Sequence, residues 1–249
     1  AKTETIGEIM FSRNGGESWQ TLTTLGRAAD PKTNNSTDYK LVGTVSVAFD
    51  RFTNIYVTYA ETSADFTSGR VVLRKYNMTT TGEYDINPSP FGGNEKTLYR
   101  WVDSDQAHNP FVVVDANRSS YTDPDGTVTN DAFQEAVDSF GTTQDQTRVF
   151  VAWNTVTVAP SGVGNFNPNV IKAVVSSDGG ISFAAPIIIN NDLYSDGGVL
   201  NRYSQPKMLF TPGRAGGDEG GTLVTSYADH GGATRILVCL LYTSPSPRD

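Results

Sequence analysis

Cysteine is nearly absent from these 249 residues, with Cys239 the only one. A lone thiol excludes an internal disulfide framework and any site built on several cysteines. The two histidines, His108 and His230, give no His-x-x-x-His pair, and there is no phosphate-binding loop and no nucleophile elbow. No apolar run approaches the roughly 18 residues of a membrane-spanning helix. Basic residues are few, 19 Lys and Arg against 27 Asp and Glu, for a net charge of −8. A duplex-binding protein needs a basic face, so nucleic acid is not an expected partner. With 37% hydrophobic and 18% charged residues the chain is too polar for a membrane protein and too uncharged for a disordered one.

What is abundant is turn chemistry. There are 24 Gly and 12 Pro, with many Thr, Asn, Ser and Asp, which favours short strands joined by turns. Such an acidic β-rich composition suits a secreted bacterial protein. The ends do not read as natural ends. Residues Cys239–Asp249 resemble the translation of a sequencing adapter, so the expectation is an internal fragment whose natural sequence stops near Val238. On that reading the natural segment has no cysteine.

One strand pattern recurs. Val45–Asp50 is followed by Ile55–Ala60, Phe111–Asp115 by Val149–Trp153, and Lys207–Phe210 by Leu223–Tyr227. Each is an apolar strand, a connection, and a second strand carrying an aromatic near its end. Pro110 and Pro206 stand immediately before a first strand, where a missing N–H is tolerated. Third strands follow at Val71–Tyr76 and Val170–Val175, and Ile6–Phe11 is the same strand of a preceding unit. The turns after them are Ser12–Trp19, Asn77–Tyr84 and Ser176–Phe183, separated by 65 and 99 residues, each with an aromatic at its eighth position. The longer interval holds an insert, 117–146, with the one helical pattern. Ala132, Phe133, Ala136, Val137 and Phe140 share a face, Asp131 with Gln134 forms a capping box, and Gly141 stops it. Four strands per unit at this spacing predict an all-β fold, part of a β-propeller. The units are residues 1–30 (the end of one blade), 40–98, 109–192 with its helical insert, and a truncated 201–238.

The first and third turns fit S-x-(D/N)-x-G-x-x-(W/F), through Ser12, Asn14, Gly16, Trp19 and through Ser176, Asp178, Gly180, Phe183. This pattern resembles the Asp-box, or BNR repeat, of sialidase-like propellers, with Asn14 replacing Asp and the middle turn degenerate. The resemblance spans about three partial blades. It implies a six- or seven-bladed ring whose boxes are structural and lie away from the functional face. The Asp or Asn oxygen is expected to accept from turn N–H groups, the glycines to take φ > 0, and the aromatics to be buried against a neighbouring sheet.

Sialidases of that family use three arginines, a Tyr nucleophile with a Glu partner, and an Asp acid/base. Their Arg-Ile-Pro motif is missing: Tyr99–Trp101 lacks the proline, and Asn201–Tyr203 lies too late in its unit. No catalytic residue carries over. The resemblance does place a ligand face on the loops entering first strands and leaving second strands. Those supply Asp103, Asp105, His108 and Asn109, then Arg202, Tyr203 and Gln205, and Glu61, Asn154, Asp229 and His230. Carboxylates, an Arg and a Tyr in one cleft suit sugar binding or cleavage; simple solvation of loops explains the same polarity. Arg70 and Arg74 alternate with apolar residues and read as a solvated sheet face; Arg148 opens a second strand and reads the same way.

Weaker signals point to metals and sugars. Asp123–Asp131 has the flavour of a calcium loop, but with Gly126 at position 6 two key ligands are missing. Asp192–Gly198 is a further acidic turn, and Asn35 and Asn77 open glycosylation sequons. No cofactor is required; calcium is the one metal the sequence suggests. The reading that follows is a non-catalytic propeller module of a secreted or cell-surface protein, binding glycan or an extracellular protein. The alternatives are a sialidase-like exo-glycosidase with residues outside this chain, and a structural spacer.

Overall fold

The computed structural model describes residues 7–25, 39–50, 53–63, 67–79, 83–84, 95–103, 105–114, 120–122, 128–130, 136–137, 143–144, 147–156, 170–189, 206–211, 222–229 and 235–242. These residues are all-β, with no helix among them. A first, two-stranded sheet pairs β1 (Gly7–Phe11) with β2 (Gln20–Leu25). The second is a four-stranded antiparallel meander of β3 (Lys40–Phe49), β4 (Ile55–Thr62), β5 (Ser68–Tyr76) and β6 (Glu95–Val102). The chain then forms β7 (Gln106–Val114) and two small ribbons, β8 (Ser120–Thr122) with β9 (Val128–Asn130), and β10 (Ala136–Val137) with β11 (Thr143–Gln144). The third sheet joins β7 to β12 (Val149–Val156), β13 (Val170–Ser176) and β14 (Ile187–Ile188). The fourth holds β15 (Lys207–Thr211), β16 (Thr222–Asp229) and β17 (Arg235–Tyr242), whose pairing with β16 continues unbroken across Val238.

Successive sheets stack face to face, and each layer has its own core. Leu22 and Leu25 of the first sheet meet Ile55, Val57, Tyr59, Val72 and Tyr76 of the second. The opposite face of the second sheet, with Tyr56, Ala60, Val71, Leu73 and Trp101, meets Val112, Val114, Val149, Val151 and Trp153 of the third. Phe150, Ala152 and Ile171 then meet Met208 and Leu223 of the fourth. Alternation along a strand therefore sends both sets of side chains into cores, which is why β4 is buried at every position. The first strands of the second and third sheets lie side by side, and the Val112 N–H donates to Ser46 Oγ at 3.2 Å.

Those two strands share an irregularity. Between Val42↔Ala60 and Ser46↔Thr58, residues 43–45 face Tyr59 alone. Between His108↔Asn154 and Phe111↔Ala152, Asn109 and Pro110 face Trp153 alone. Gly43 (φ 76°) and Asn109 (φ 50°) adopt the left-handed conformation at these bulges. Pro110 thus sits inside β7 rather than before it, at a point where the bulge leaves no ladder N–H to supply. Pro206 does precede its strand, β15.

The helix expected over 131–140 is not formed at Ala136–Val137, which pair with Gln144 and Thr143 as strands. Val137 is β-branched, and strand pairing outweighs a short apolar face here. The rest of that segment lies outside the described residues.

The two matching turns share one hydrogen-bond scheme. The Gly16 N–H donates to Ser12 Oγ (2.8 Å), the Ser18 N–H to Asn14 Oδ1 (2.9 Å), and Ser12 Oγ to Asn14 Oδ1 (3.0 Å). In the other turn the Gly180 N–H donates to Ser176 Oγ (2.8 Å), the Ser182 N–H to Asp178 Oδ1 (2.9 Å), and Ser176 Oγ to Asp178 Oδ1 (2.7 Å). Glycines 15, 16, 179 and 180 all have positive φ. Burial pushes the Asp178 carboxyl up, but the Ser182 and Ser176 hydrogen bonds prevail and hold it below its ordinary value. The middle turn differs: Ile55 pairs with Tyr76 as Val149 pairs with Ser176, so its register is offset by one residue and Tyr84 falls one place later.

The turns of the second and third sheets pack on the preceding sheet. Tyr84 meets Phe11 edge-on at 5.2 Å. Phe183 packs on the second sheet's core, while Tyr56 Oη and Lys75 Nζ both donate to the Gly179 carbonyl. Trp19 departs from the expected burial: it is 58% exposed, its Nε1 donating to its own turn at Gly16 O, because no described sheet precedes the first.

Candidate functional site

The polar residues expected on a loop face lie largely inside the ends of strands. Glu61 is in β4, His108 in β7 and Asn154 in β12, and all three are buried. His108 pairs across the sheet with Asn154, whose Oδ1 accepts from Asn109 Nδ2 at 3.4 Å; His108 Nε2 lies 3.4 Å from Gln106 Oε1. Glu61 is not part of that group. It binds Arg70 through Oε2 at 2.9 Å, and its Oε1 has no hydrogen-bond partner among the described residues. Arg202, Tyr203, Gln205 and His230 lie outside the described residues, as do Asp123–Thr127 of the calcium-like loop and Asp192–Gly198. Asp229 ends β16.

Arg70 and Arg74 are not on a solvated face. The neighbouring sheet covers them, and they build an ionic network with Glu61 and Glu95. Arg70 bridges Glu61 and Glu95. Arg74 Nη2 lies 3.0 Å from Glu95 Oε2, and its Nη1 donates to Thr23 Oγ1 and Thr24 O of the first sheet at 3.2 and 3.3 Å. The Tyr59 hydroxyl donates to Glu95 Oε2 at 3.2 Å, with Arg74 over its ring. Burial raises the Glu61 carboxyl above its ordinary value despite Arg70. Burial also acts upward on Glu95, but Arg70 and Arg74 outweigh it and hold that carboxyl low. Burial raises the Tyr59 phenol as well. Arg148 is likewise buried, its guanidinium 5.2 Å from the centre of the Phe210 ring. The network is a joint between sheets, positioned to hold them rather than to meet a ligand.

The accessible chemistry lies at the link from β6 to β7. Asp103 and Asp105 both have left-handed backbone, φ 57° and 43°, and the Asp103 N–H donates to Thr67 O at 2.6 Å, fixing the link against the β4–β5 connection. Such backbone in non-glycine residues costs roughly 1–3 kcal/mol each and concentrates at functional sites. Asp105 Oδ2 lies 3.5 Å from Lys172 Nζ, which donates to Tyr99 Oη at 3.4 Å and sits over that ring. The Tyr99 hydroxyl donates to the Asp105 carbonyl at 3.3 Å. Burial, with Asp105 adding to it, pushes the Tyr99 phenol up to about 12, so it stays a neutral donor. Behind it, Trp153 and Trp101 form an aromatic floor at 5.5 and 6.3 Å. A carboxylate, an ammonium and a phenol held in place by buried tryptophans can hydrogen-bond a polyol.

Sequence reasoning found Asp103 and Asp105 here but not Lys172 or Tyr99 as their partners. Tyr99 and Trp101 alternate along β6, which is the one signal that could have placed Tyr99 on this side. Among the described residues no three His, Cys, Asp or Glu side chains are grouped to hold a metal ion, and no helix is long and apolar enough to cross a membrane. Comparison of the chain with protein-family models, and with curated proteins, yields no match to either.

Proposed function

We propose that this chain is part of an Asp-box β-propeller of an exported protein, and that it acts as a non-catalytic module binding glycan or protein at the β6–β7 link. Stacked four-stranded meanders and two turns with one hydrogen-bond scheme support the architecture. The observation that carries the binding function is the Asp105–Lys172–Tyr99 group. It joins both charges and a neutral phenol at a link in strained backbone, with the turns at the other end of the strands. A glycan is the ligand class this chemistry suits best, since hydroxyls can both donate to Asp105 and accept from Lys172.

A sialidase-like glycosidase would need a Tyr–Glu pair and convergent arginines open to substrate. The grouping of that composition among the described residues, Tyr59 with Glu95, Arg70 and Arg74, gains no support from its position, because Tyr59 is fully buried between two sheets. The deciding experiment is a glycan microarray with the full chain, followed by calorimetry on any hit. Asp105→Ala and Lys172→Ala should each weaken binding about tenfold or more. Unchanged affinity in both variants overturns the site. Hydrolysis of a fluorogenic sialoside overturns the non-catalytic reading.

A further inference from the structure

Asn14 stands where the matching turn of the third sheet has Asp178, and a glycine follows it. Asn14–Gly15 is the one Asn-Gly step in the chain. An asparagine's amide carbon lies close along the chain to the next residue's backbone nitrogen, and a side chain on that next residue obstructs their approach. At Gly15 the approach is open: its own chain neighbours aside, no atom lies within 4 Å of where a Cβ would be, and Asn14 and Gly15 are both exposed. The Gly15 N–H makes no hydrogen bond among the described residues.

The turn also prepares the amide. Asn14 Oδ1 accepts from the Ser18 N–H at 2.9 Å and from Ser12 Oγ at 3.0 Å. Two donors on one carbonyl oxygen draw charge from its carbon and stand where negative charge would develop during attack. Asn54, Asn77, Asn109 and Asn154 lack this combination. Asn54 and Asn154 are buried and precede β-branched Ile55 and Thr155. Asn77 precedes Met78, whose N–H is donated to Asn54 Oδ1 at 2.9 Å. Asn109 precedes Pro110, whose nitrogen has no hydrogen to give up.

We propose that Asn14 is a self-modification site, its amide attacked by the Gly15 nitrogen and converted to aspartate or isoaspartate. The Gly15 N–H proton passes to solvent, the bond from that nitrogen to Asn14 Cγ forms, and the Cγ–Nδ2 bond breaks with Nδ2 leaving as ammonia. Water then opens the five-membered imide. Addition at Cγ restores the ordinary backbone with an aspartate side chain. Addition at the Asn14 backbone carbonyl carbon routes the main chain through Cγ. Nothing is oxidised or reduced.

The turn treats the two products differently. Its aspartate form already exists at Asp178, whose carboxylate accepts from the Ser182 N–H, Ser182 Oγ and Ser176 Oγ. An aspartate at position 14 can accept the same bonds from Ser18 and Ser12. Isoaspartate lengthens the main chain by one carbon and takes the acceptor away from the Ser18 N–H.

The test is incubation of the full chain in heavy-oxygen water at neutral pH, followed by proteolysis and mass spectrometry. Asn14 should show the amide-to-acid mass change with heavy oxygen incorporated, at least about tenfold faster than Asn54, Asn77 or Asn154. Gly15→Ala should slow it about tenfold, with circular dichroism checking the fold. Asn14→Asp, the first product made directly, should match the wild type in urea midpoint at neutral pH and lose stability more steeply in acid. An Asn14 amide that lasts as long as the others, a product without heavy oxygen, or a rate indifferent to Gly15→Ala overturns the site. A lower midpoint for Asn14→Asp at neutral pH overturns the account of its products. The chemistry is confined to this turn, so its failure leaves the glycan measurement untouched.

Discussion

The Cβ that Gly43 lacks would lie 2.5 Å from the side-chain oxygen of Asn109 and 2.9 Å from its backbone nitrogen. The bulges of two successive first strands are nested, each shaping the space for the other. Gly43→Ala should therefore lose stability on two counts, the left-handed φ and the collision with backbone. The φ alone costs about 1–2 kcal/mol. Gly15 has a similar φ of 70° with nothing near its absent side chain. Urea midpoints should place Gly43→Ala clearly below Gly15→Ala. Equal losses would mean that the nesting carries no energy.

Asp178 and Asn14 perform the same task, which predicts how the turn responds to substitution. Asp178→Asn keeps an oxygen for the Ser182 N–H, as Asn14 does for Ser18, and should cost little at neutral pH. Asp178→Ala removes it and should cost about 1–2 kcal/mol, as loss of a helix cap does. Because the folded carboxyl is held low, its contribution is present above the unfolded value and is lost as pH falls through the folded one. Acid titration of stability should accordingly be shallower in Asp178→Asn than in the wild type.

Glu61 and Glu95 flank the same arginine yet should respond oppositely to acid. Glu95 is depressed, so its stabilisation disappears as pH falls through its folded value. Glu61 is raised, so its ionisation in the fold is unfavourable. Its contribution is greatest below the unfolded value and is lost as pH rises through the folded one. Glu95→Gln should flatten the loss of stability as pH falls below the ordinary carboxylate value of about 4.3, whereas Glu61→Gln should remove a gain in stability that appears as pH falls toward that value from above. Chemical denaturation at stepped pH reads both, and parallel slopes for the two variants would refute the assignment.

Tyr56 is fully buried and its hydroxyl lies 3.2 Å from Gly179 O and 3.3 Å from Asp50 Oδ2. Tyr56→Phe keeps the ring and removes one of the hydrogen bonds, beside that of Lys75, that tie the third sheet's turn to the second sheet. A loss of about 1–2 kcal/mol is expected. Hydrogen exchange should show the loosening at Ser176–Phe183 before it reaches β12.

The apolar second strands were legible because Ile55–Ala60 and Val149–Trp153 combine β-branched and aromatic residues in runs too short for helices. The fourth strand β6 was not, since Glu95, Lys96 and Arg100 disguise it as a loop. Arg70 and Arg74 were misread for a related reason. Alternation identifies two faces of a strand but not what covers them, and in stacked sheets both are covered. Glu61 read as a loop residue because its charge marked the strand's end, while Arg70 on the adjacent strand allows pairing to run on to Thr62. The Asp105–Lys172 contact joins residues 67 apart in sequence and leaves no local trace.

The turns that follow β5 and β13 each find their seat on the sheet before them, Tyr84 on Phe11 and Phe183 on the second sheet's core. Synthesis runs in that same direction. When Ser176–Phe183 leaves the ribosome, the surface formed by Tyr56 and Lys75 has long been translated, and the hairpin can dock without waiting for later chain. Sheets can therefore be laid down one upon another as they emerge, with no long-range partner left pending. A chain built this way is proofed in order: a failure in the second sheet withholds the seat from the third, and the defect travels only toward the C-terminus.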